Sequence, residues 1–277
     1  MVAGRRCSYA CAMATSALPV TIGAALRRWR EHRSLSQLAL ANRAAVSTRH
    51  LSFVENGRSR PTSKMILRLA EVLEVPMGEQ NHLLLAGGFA PLHPAHSIDD
   101  PELSAVMSGV RSLIDAHAPY PALLLDDSWD IIDANHAIDA LLAGCDPLLL
   151  EPPINVIRLA LHPLGLSARI RNLGQWRAHL IHQLRQRIRS TGGDHKLEAL
   201  LAEVEGYPNR GEPAGEPQGP VVLLELDSDG GPLRFFSVAS RIVGPADVTV
   251  DSLHLETFLP ADASTRASLS GGSDPSV

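Results

Sequence analysis

The stretch LSQLALANRAAVSTRHLSFVENGRSRP, residues 35–61, decides how the N-terminal part of the chain folds. Ser36 and Ser47 each stand just before a run with helical spacing, where a side-chain oxygen caps the free N–H groups of a first turn. One helix is predicted over Gln37–Arg43. A second runs from Ser47 to Asn56-Gly57, where the glycine suits a left-handed C-terminal residue. Ala41, Ala44 and Ala45 are small enough to let the two helices cross closely. Val46, Leu51 and Val54 then anchor the second helix from below. That leaves Ser47, Thr48, Arg49, Ser52 and Phe53 on its outer face.

The flanks extend this pair into a bundle. TIGAALRRWREHR, residues 21–33, places Ile22, Leu26 and Trp29 at helical spacing, with Arg27, Arg28, Arg30 and Arg33 mostly off that face. Pro61-Thr62 opens a fourth helix with Ile66, Leu69, Ala70 and Leu73 inward, and a fifth follows Pro76. Residues 21–90 thus read as five short helices, the second of the central pair being free to enter a DNA major groove. Arginine pairs bidentately with guanine, serine and threonine donate to base or phosphate, and an aromatic meets the thymine methyl. Gln37, at the start of the preceding helix, is placed to hold a phosphate, and Arg43, Arg58, Arg60 and Lys64 flank the surface. Charge agrees: residues 21–90 carry 10 Lys/Arg against 5 Asp/Glu, while residues 91–277 carry 13 against 25. A basic module on an acidic body is the pattern of a polyanion-binding head.

Around that head the 277 residues leave room for a second domain. Residues 1–20 hold no continuous hydrophobic stretch, so a disordered tail, or a true start at Met13, is expected rather than a secretory signal. No apolar run approaches the ~20 residues of a membrane span. The three cysteines are scattered and form no disulfide or metal framework, so a cytoplasmic protein without a membrane partner is expected. Residues 91–102, rich in Pro, His and Asp, read as a linker. In residues 103–263, Leu103, Val106, Val110, Leu113 and Ile114 mark an amphipathic helix. PALLLDDSWDIIDANHAIDALLAG (121–144) then reads as strand, turn, strand and helix. Residues 154–205 are helical, 206–220 form a flexible Gly/Pro-rich excursion, and three β runs follow, with Asp229-Gly230 as a hairpin turn. Strands at both ends with helices between favour an α+β domain with an antiparallel sheet. Residues 264–277 are expected to be a disordered tail.

SQLALANRAAVSTRHLSFVENGRSRPTSKMILRLAEVLEVP (36–76) resembles the lambda-repressor-like helix-turn-helix domain of the Xre family, over residues 21–86. The resemblance implies that Thr48, Arg49, Ser52 and Phe53 face bases, that Gln37, Ser47 and Arg58 approach the DNA backbone, and that Glu55 ties the helix end to the following loop. Ala45 stands where the family usually has glycine, and Ala39 where an acidic residue often pairs internally. The rest, about 103–266, resembles the MmyB-like ligand-binding domain with its PAS-like sheet. The resemblance rests on residues 121–144, on PPINVIRLALHPLGLSARIRNLGQWRAHLIHQLR (152–185) and on DVTVDSLHLETFLPAD (247–262). The fold expected is multi-domain: an all-α five-helix head followed by an α+β PAS-like sensor domain.

Such a sheet curves around a largely apolar pocket for a small apolar or amphipathic ligand. Candidate contacts are Trp129 and Ile131 on an early strand, Trp176 and His179 on the middle helix, and Phe235 or Phe236 on a late strand. No cofactor, metal or catalytic set is expected. His179 and His182 share a helix face, but no HExxH, CxxC or acidic i+4 partner supports a metal site. The arginine-rich run from Arg169 to Arg189 reads as a solvent-facing surface paired with acids rather than a second nucleic-acid patch. The function expected is a sequence-specific transcriptional regulator whose C-terminal domain senses a small molecule or mediates dimerisation. It would act as a homodimer on a palindromic double-stranded operator with half-sites ~34 Å apart. The alternative is a DNA-tethered enzyme-like domain, which would need convergent polar side chains in one cleft.

Overall fold

The computed structural model describes residues 21–208 and 220–270. The expected tails at 1–20 and 271–277, and most of the Gly/Pro-rich excursion, lie outside the described residues. The head consists of α1 (Ile22–His32), α2 (Gln37–Arg43), α3 (Thr48–Glu55), α4 (Ser63–Val72) and α5 (Met77–Ala86). Four of the five begin on a hydroxyl cap: Thr21, Ser36, Ser47 and Thr62 accept from the backbone N–H three residues on. Leu26, Trp29, Leu40, Leu51, Ile66, Leu69 and Leu73 are fully buried at their crossing.

Three details of the head depart from the sequence reading. Only Ala41 and Ala44 fill the crossing of α2 and α3; Ala45 is exposed and left-handed, with φ +50°. Arg30, assigned to the solvent side, is buried, because Glu55 lies opposite it. Its Nε and Nη2 donate to the two carboxylate oxygens at 2.7 and 2.8 Å, and its Nη1 donates to the Leu35 carbonyl at 2.9 Å. Glu55 therefore ties α3 to α1, not to the loop that follows it.

The second domain contains α6 (Ser104–Ala116), β1 (Ala122–Leu125), β2 (Ile131–Ala134), α7 (Ala137–Leu142), α8 (Val156–Leu161), α9 (Leu173–Ser190) and α10 (His195–Glu205). After these come β3 (Leu224–Leu226), β4 (Leu233–Arg241), α11 (Val248–Ser252), β5 (His254–Pro260) and α12 (Ala263–Ser270). All strand pairs are antiparallel, in the order β2-β1-β5-β4-β3, so the last strand in sequence is the central one. The unbroken apolar run of β1 has a simple cause. Leu123 and Leu125 join the core formed with α7 to α10, while Ala122 and Leu124 face Val110 and Ile114 of α6. A strand covered on both sides has no polar face to show. Asn135, fully buried, ties these layers, accepting from Ala122 N–H and donating to the Ile114 and Tyr120 carbonyls.

Only part of the predicted apolar face of α6 is used: Val110 and Ile114 pack on the sheet, while Val106 and Leu113 are exposed. Residues 264–270, expected to be disordered, belong to α12. Asp262 caps that helix by accepting from Thr265 N–H, and the buried Thr265 hydroxyl accepts from Arg234 N–H of β4. The linker is clasped rather than loose. Asn81 holds the Leu92 and His93 N–H groups and the His93 carbonyl, and further on the His96 N–H and ring bond Asp247 just before α11. A second contact joins the domains where Trp29 of α1 meets the turn after α9, and His32 meets the Arg189 carbonyl.

Ala45 costs the head ~1–2 kcal/mol by its left-handed backbone, so Ala45→Gly should raise stability by about 1 kcal/mol, read as a later urea midpoint. Glu55→Ala leaves Arg30 buried without its partner and should cost ~3–5 kcal/mol in the same titration.

Candidate DNA interface and ligand cavity

The outer face of α3 follows from its cap. Ser47 Oγ accepts the His50 N–H at 3.1 Å, which fixes the first turn. Thr48, Arg49, Ser52 and Phe53 follow at i, i+1, i+4 and i+5, one stripe of the helix. Arg49 is exposed, and its guanidinium carbon sits 5.4 Å from the Phe53 ring centroid. That contact holds a long, mobile side chain in place at no loss of its donors. Thr48, Ser52 and Phe53 are half-buried rather than fully outward. Asn56, which the sequence reading did not single out, donates to the Ser52 carbonyl at 2.8 Å and to its hydroxyl at 3.4 Å.

Gln37 and Arg58 divide the flanks. Gln37 Nε2 donates to Glu55 at 2.8 Å, so one of its two amide protons is already committed. Arg58 is exposed beside the end of α3, its backbone N–H bonding the Phe53 carbonyl at 2.7 Å. The contacts between the domains run through α1, α5 and the clasped linker, while Arg49 and Arg58 stay open to solvent.

On the inner side of the sheet lies a cavity of about 60 Å³. Ile131 and Trp176 line it, as expected, together with Leu123, Leu180 and Phe258. Trp129 and His179 do not. Trp129 is not on a strand: it sits in the β1–β2 turn with φ +61°, because Asp126 gathers the Ser128, Trp129 and Asp130 N–H groups around itself. His179 stacks against Trp176 at 5.3 Å and bonds Gln183, and burial, then the neighbouring His182, lowers its pKa. Phe235 is fully buried core, edge-on to Phe258 at 6.3 Å, and Phe236, next along the strand, is half-buried and away from the cavity.

Sequence reasoning missed Glu256, which projects from β5 into this cavity. In LHLETFL the stronger apolar signal falls on Leu253, Leu255 and Leu259, yet it is His254, Glu256 and Phe258 that turn to the inner side. Leu253 and Leu255 instead serve the α6 side. A central strand covered on both faces gives alternation no direction. Burial holds the Glu256 carboxyl above its usual range, and the Ser237 hydroxyl opposes this by bonding it.

A polar knot closes one end of the inner face. Asp127 is in contact with Arg187 and lies 3.1 Å from Arg241, and the Arg187 guanidinium stacks 5.7 Å from the Trp129 centroid. Burial dominates both charges, raising the Asp127 pKa and lowering that of Arg187. His254, edge-on to Trp129, is lowered to about 4 by burial first and then by the two arginines. Among the described residues, Arg187 Nε and His254 Nδ1 have no hydrogen-bond partner. Of the other arginines of the run, Arg185 pairs with Glu205, Arg171 with Asp227, Arg177 donates to the Glu205 carbonyl, and Arg169 donates to the Leu141 and Ala143 carbonyls. Among the described residues no group of three or more His, Cys, Asp or Glu is arranged to hold a metal, and no helix is long and apolar enough to cross a membrane.

Comparison with known families finds two matches. Residues 106–270 match the MmyB-like transcription regulator ligand binding domain, more than half of the chain, and residues 26–80 match a helix-turn-helix model. Comparison with curated proteins returns no match. Among solved structures, the clp gene regulator ClgR from Corynebacterium glutamicum is similar at 21% identity, over 38% of this chain and 97% of that one. Its TM-score is 0.22.

His254 is neutral in the folded protein and titrates near 6.5 when unfolded, so the unfolded state takes up the extra proton as pH falls. Stability is therefore full above about pH 6.5 and drops through the window down to about 4, by on the order of 3 kcal/mol. His254→Gln should flatten that part of a pH–stability curve measured by urea unfolding.

Proposed function

The chain belongs to the MmyB-like transcription regulator family, and from that premise we propose that α3 reads operator sequence while the C-terminal cavity receives a small ligand. The coarser statement, a DNA-binding transcriptional regulator, follows from the helix-turn-helix head joined to the ligand-binding domain of that family. The observation that carries the finer reading is Arg49, exposed on the first turn of a capped helix and steadied by Phe53. Arginine so placed matches the two acceptors of guanine in the major groove. Thr48, Ser52 and Phe53 share its stripe and complete the base-reading set. Ser47, Gln37 and Arg58 hold the flanking phosphates and fix the register.

The regulator acts in the cytoplasm as a homodimer on a palindromic operator, its heads one helical turn apart. Exposed apolar side chains support pairing of two chains: Val106 and Leu113 on α6, and Val238 on β4. The ligand is a small apolar or amphipathic molecule, which the lining of the cavity supports.

Selection of bound sites from random DNA supplies the operator, and titration at fixed salt then tests the reader. Arg49→Ala should cost ~1–3 kcal/mol on the selected site and relax the choice at one base pair. Weakening by the same factor on every sequence would make Arg49 a phosphate contact instead.

A further inference from the structure

Helix α9 runs from the cavity to the head. Trp176 and Leu180, on its first half, line the cavity. Just before its first turn, Asn172 pins it to the edge of the sheet, donating to the Leu223 carbonyl at 2.8 Å and accepting the Glu225 N–H at 3.2 Å. The far end meets α1. There the Arg189 carbonyl bonds His32, and Gly192 lies so close to the Trp29 indole that an added Cβ would clash with it. Shortly before this tip, Arg187 pairs with Asp127 and stacks on Trp129. On the head side, the residue after Trp29 is Arg30, whose guanidinium holds Glu55 of α3. Cavity and reading helix are thus joined through α9 and α1 by close contacts at each step.

We propose that α9 is a lever: a ligand larger than the cavity pushes it, unseats Gly192 from Trp29 and so weakens operator binding. The proposal rests on the reading of the cavity as a ligand site and adds how that site acts on the head. Size supplies the push. A cavity of about 60 Å³ holds a handful of water-sized spheres, roughly half a dozen heavy atoms. A longer molecule must displace a wall, because a packed interior has no slack to take it up. Trp176 and Leu180 belong to a helix fixed at its other end. At about 1.5 Å per residue, Leu180 lies roughly 12 Å from Asn172 and Gly192 roughly 30 Å. A shift at Leu180 therefore grows about two-and-a-half-fold at the tip. The Arg187–Asp127 pair resists that movement, which leaves two discrete positions, seated and released. The seated position keeps Arg49 and Arg58 open and holds α3 in one orientation through Arg30 and Glu55, so it is the operator-binding form.

The test uses the full chain, an operator selected from random DNA, and two neutral probes: 1-pentanol, which fits the cavity, and 1-decanol, which outgrows it. Calorimetry reads probe binding, the Trp29 indole N–H resonance reads the seal, and titration at fixed salt reads the operator. Both alcohols should bind. Decanol alone should move the Trp29 resonance and weaken operator binding, by about fivefold or more. Gly192→Ala should weaken operator binding without any alcohol, with decanol adding nothing further. Gly193→Ala carries comparable left-handed strain without touching the indole and should behave as the wild type. Should Gly192→Ala fail to fold, His32→Ala takes its place, since it removes the other contact across the seal. Three results overturn the lever and leave the sensor reading standing: decanol binding with operator affinity unchanged, an equal effect of pentanol, or Gly192→Ala no different from Gly193→Ala. If neither alcohol binds, the sensor reading falls and the lever falls with it.

Discussion

The paired contact of Arg30 with Glu55 is the constraint on which the head depends. It joins the last turn of α1 to the last residue of α3, and Gln37 adds the first residue of α2 to the same carboxylate. Three helices too short to be stable alone are thus fixed by one charged cluster beneath a small aliphatic core. Two carboxylate oxygens and a planar fork allow little angular freedom. The direction in which α3 presents Arg49 is set from behind, by Arg30 and Glu55 on the buried side of the helix. Burial makes the cluster expensive to break and adds little net stability over an apolar replacement, so its value here is geometric.

The second domain solves the opposite problem. Its charge is spread over the surface in local pairs, and its fold comes from a sheet whose central strand arrives last in the sequence. The inner face is divided: an apolar hollow under α9 at one end, and the knot of Asp127, Arg187, Arg241 and His254 at the other. Glu256 lies on the strand that connects the two, two residues along the same face from His254.

Much of the head was legible because its signals are local. A hydroxyl before four of the five helices, alanines at a crossing and a glycine after α3 (φ +71°) need no knowledge of the rest of the chain. The stripe of Thr48, Arg49, Ser52 and Phe53 along α3 was legible for the same reason. What escaped was set by partners distant in sequence. Arg30 reads as one more surface arginine until Glu55, twenty-five residues on, is brought beside it. Trp129 has strand-like neighbours, yet Asp126 bends the backbone under it. In β5 the leucines serve the α6 side, so the inward Glu256 hides between them, and α12 follows from a buried Thr265 that composition cannot reveal.

The meeting of Trp29 with the turn at Gly192 bears on how freely the head can reorient. Gly192 is left-handed at φ +74°, and a Cβ there would lie 2.7 Å from the indole, so the two domains are closer than one methyl group allows. The indole is wholly hidden from water by this seal and the head core together. Opening the seal wets part of it, at ~1 kcal/mol for each 40 Å² uncovered. The angle between the head and the second domain is therefore a stiff coordinate with a definite energy scale, and the residue that sets the stiffness is the one with no side chain.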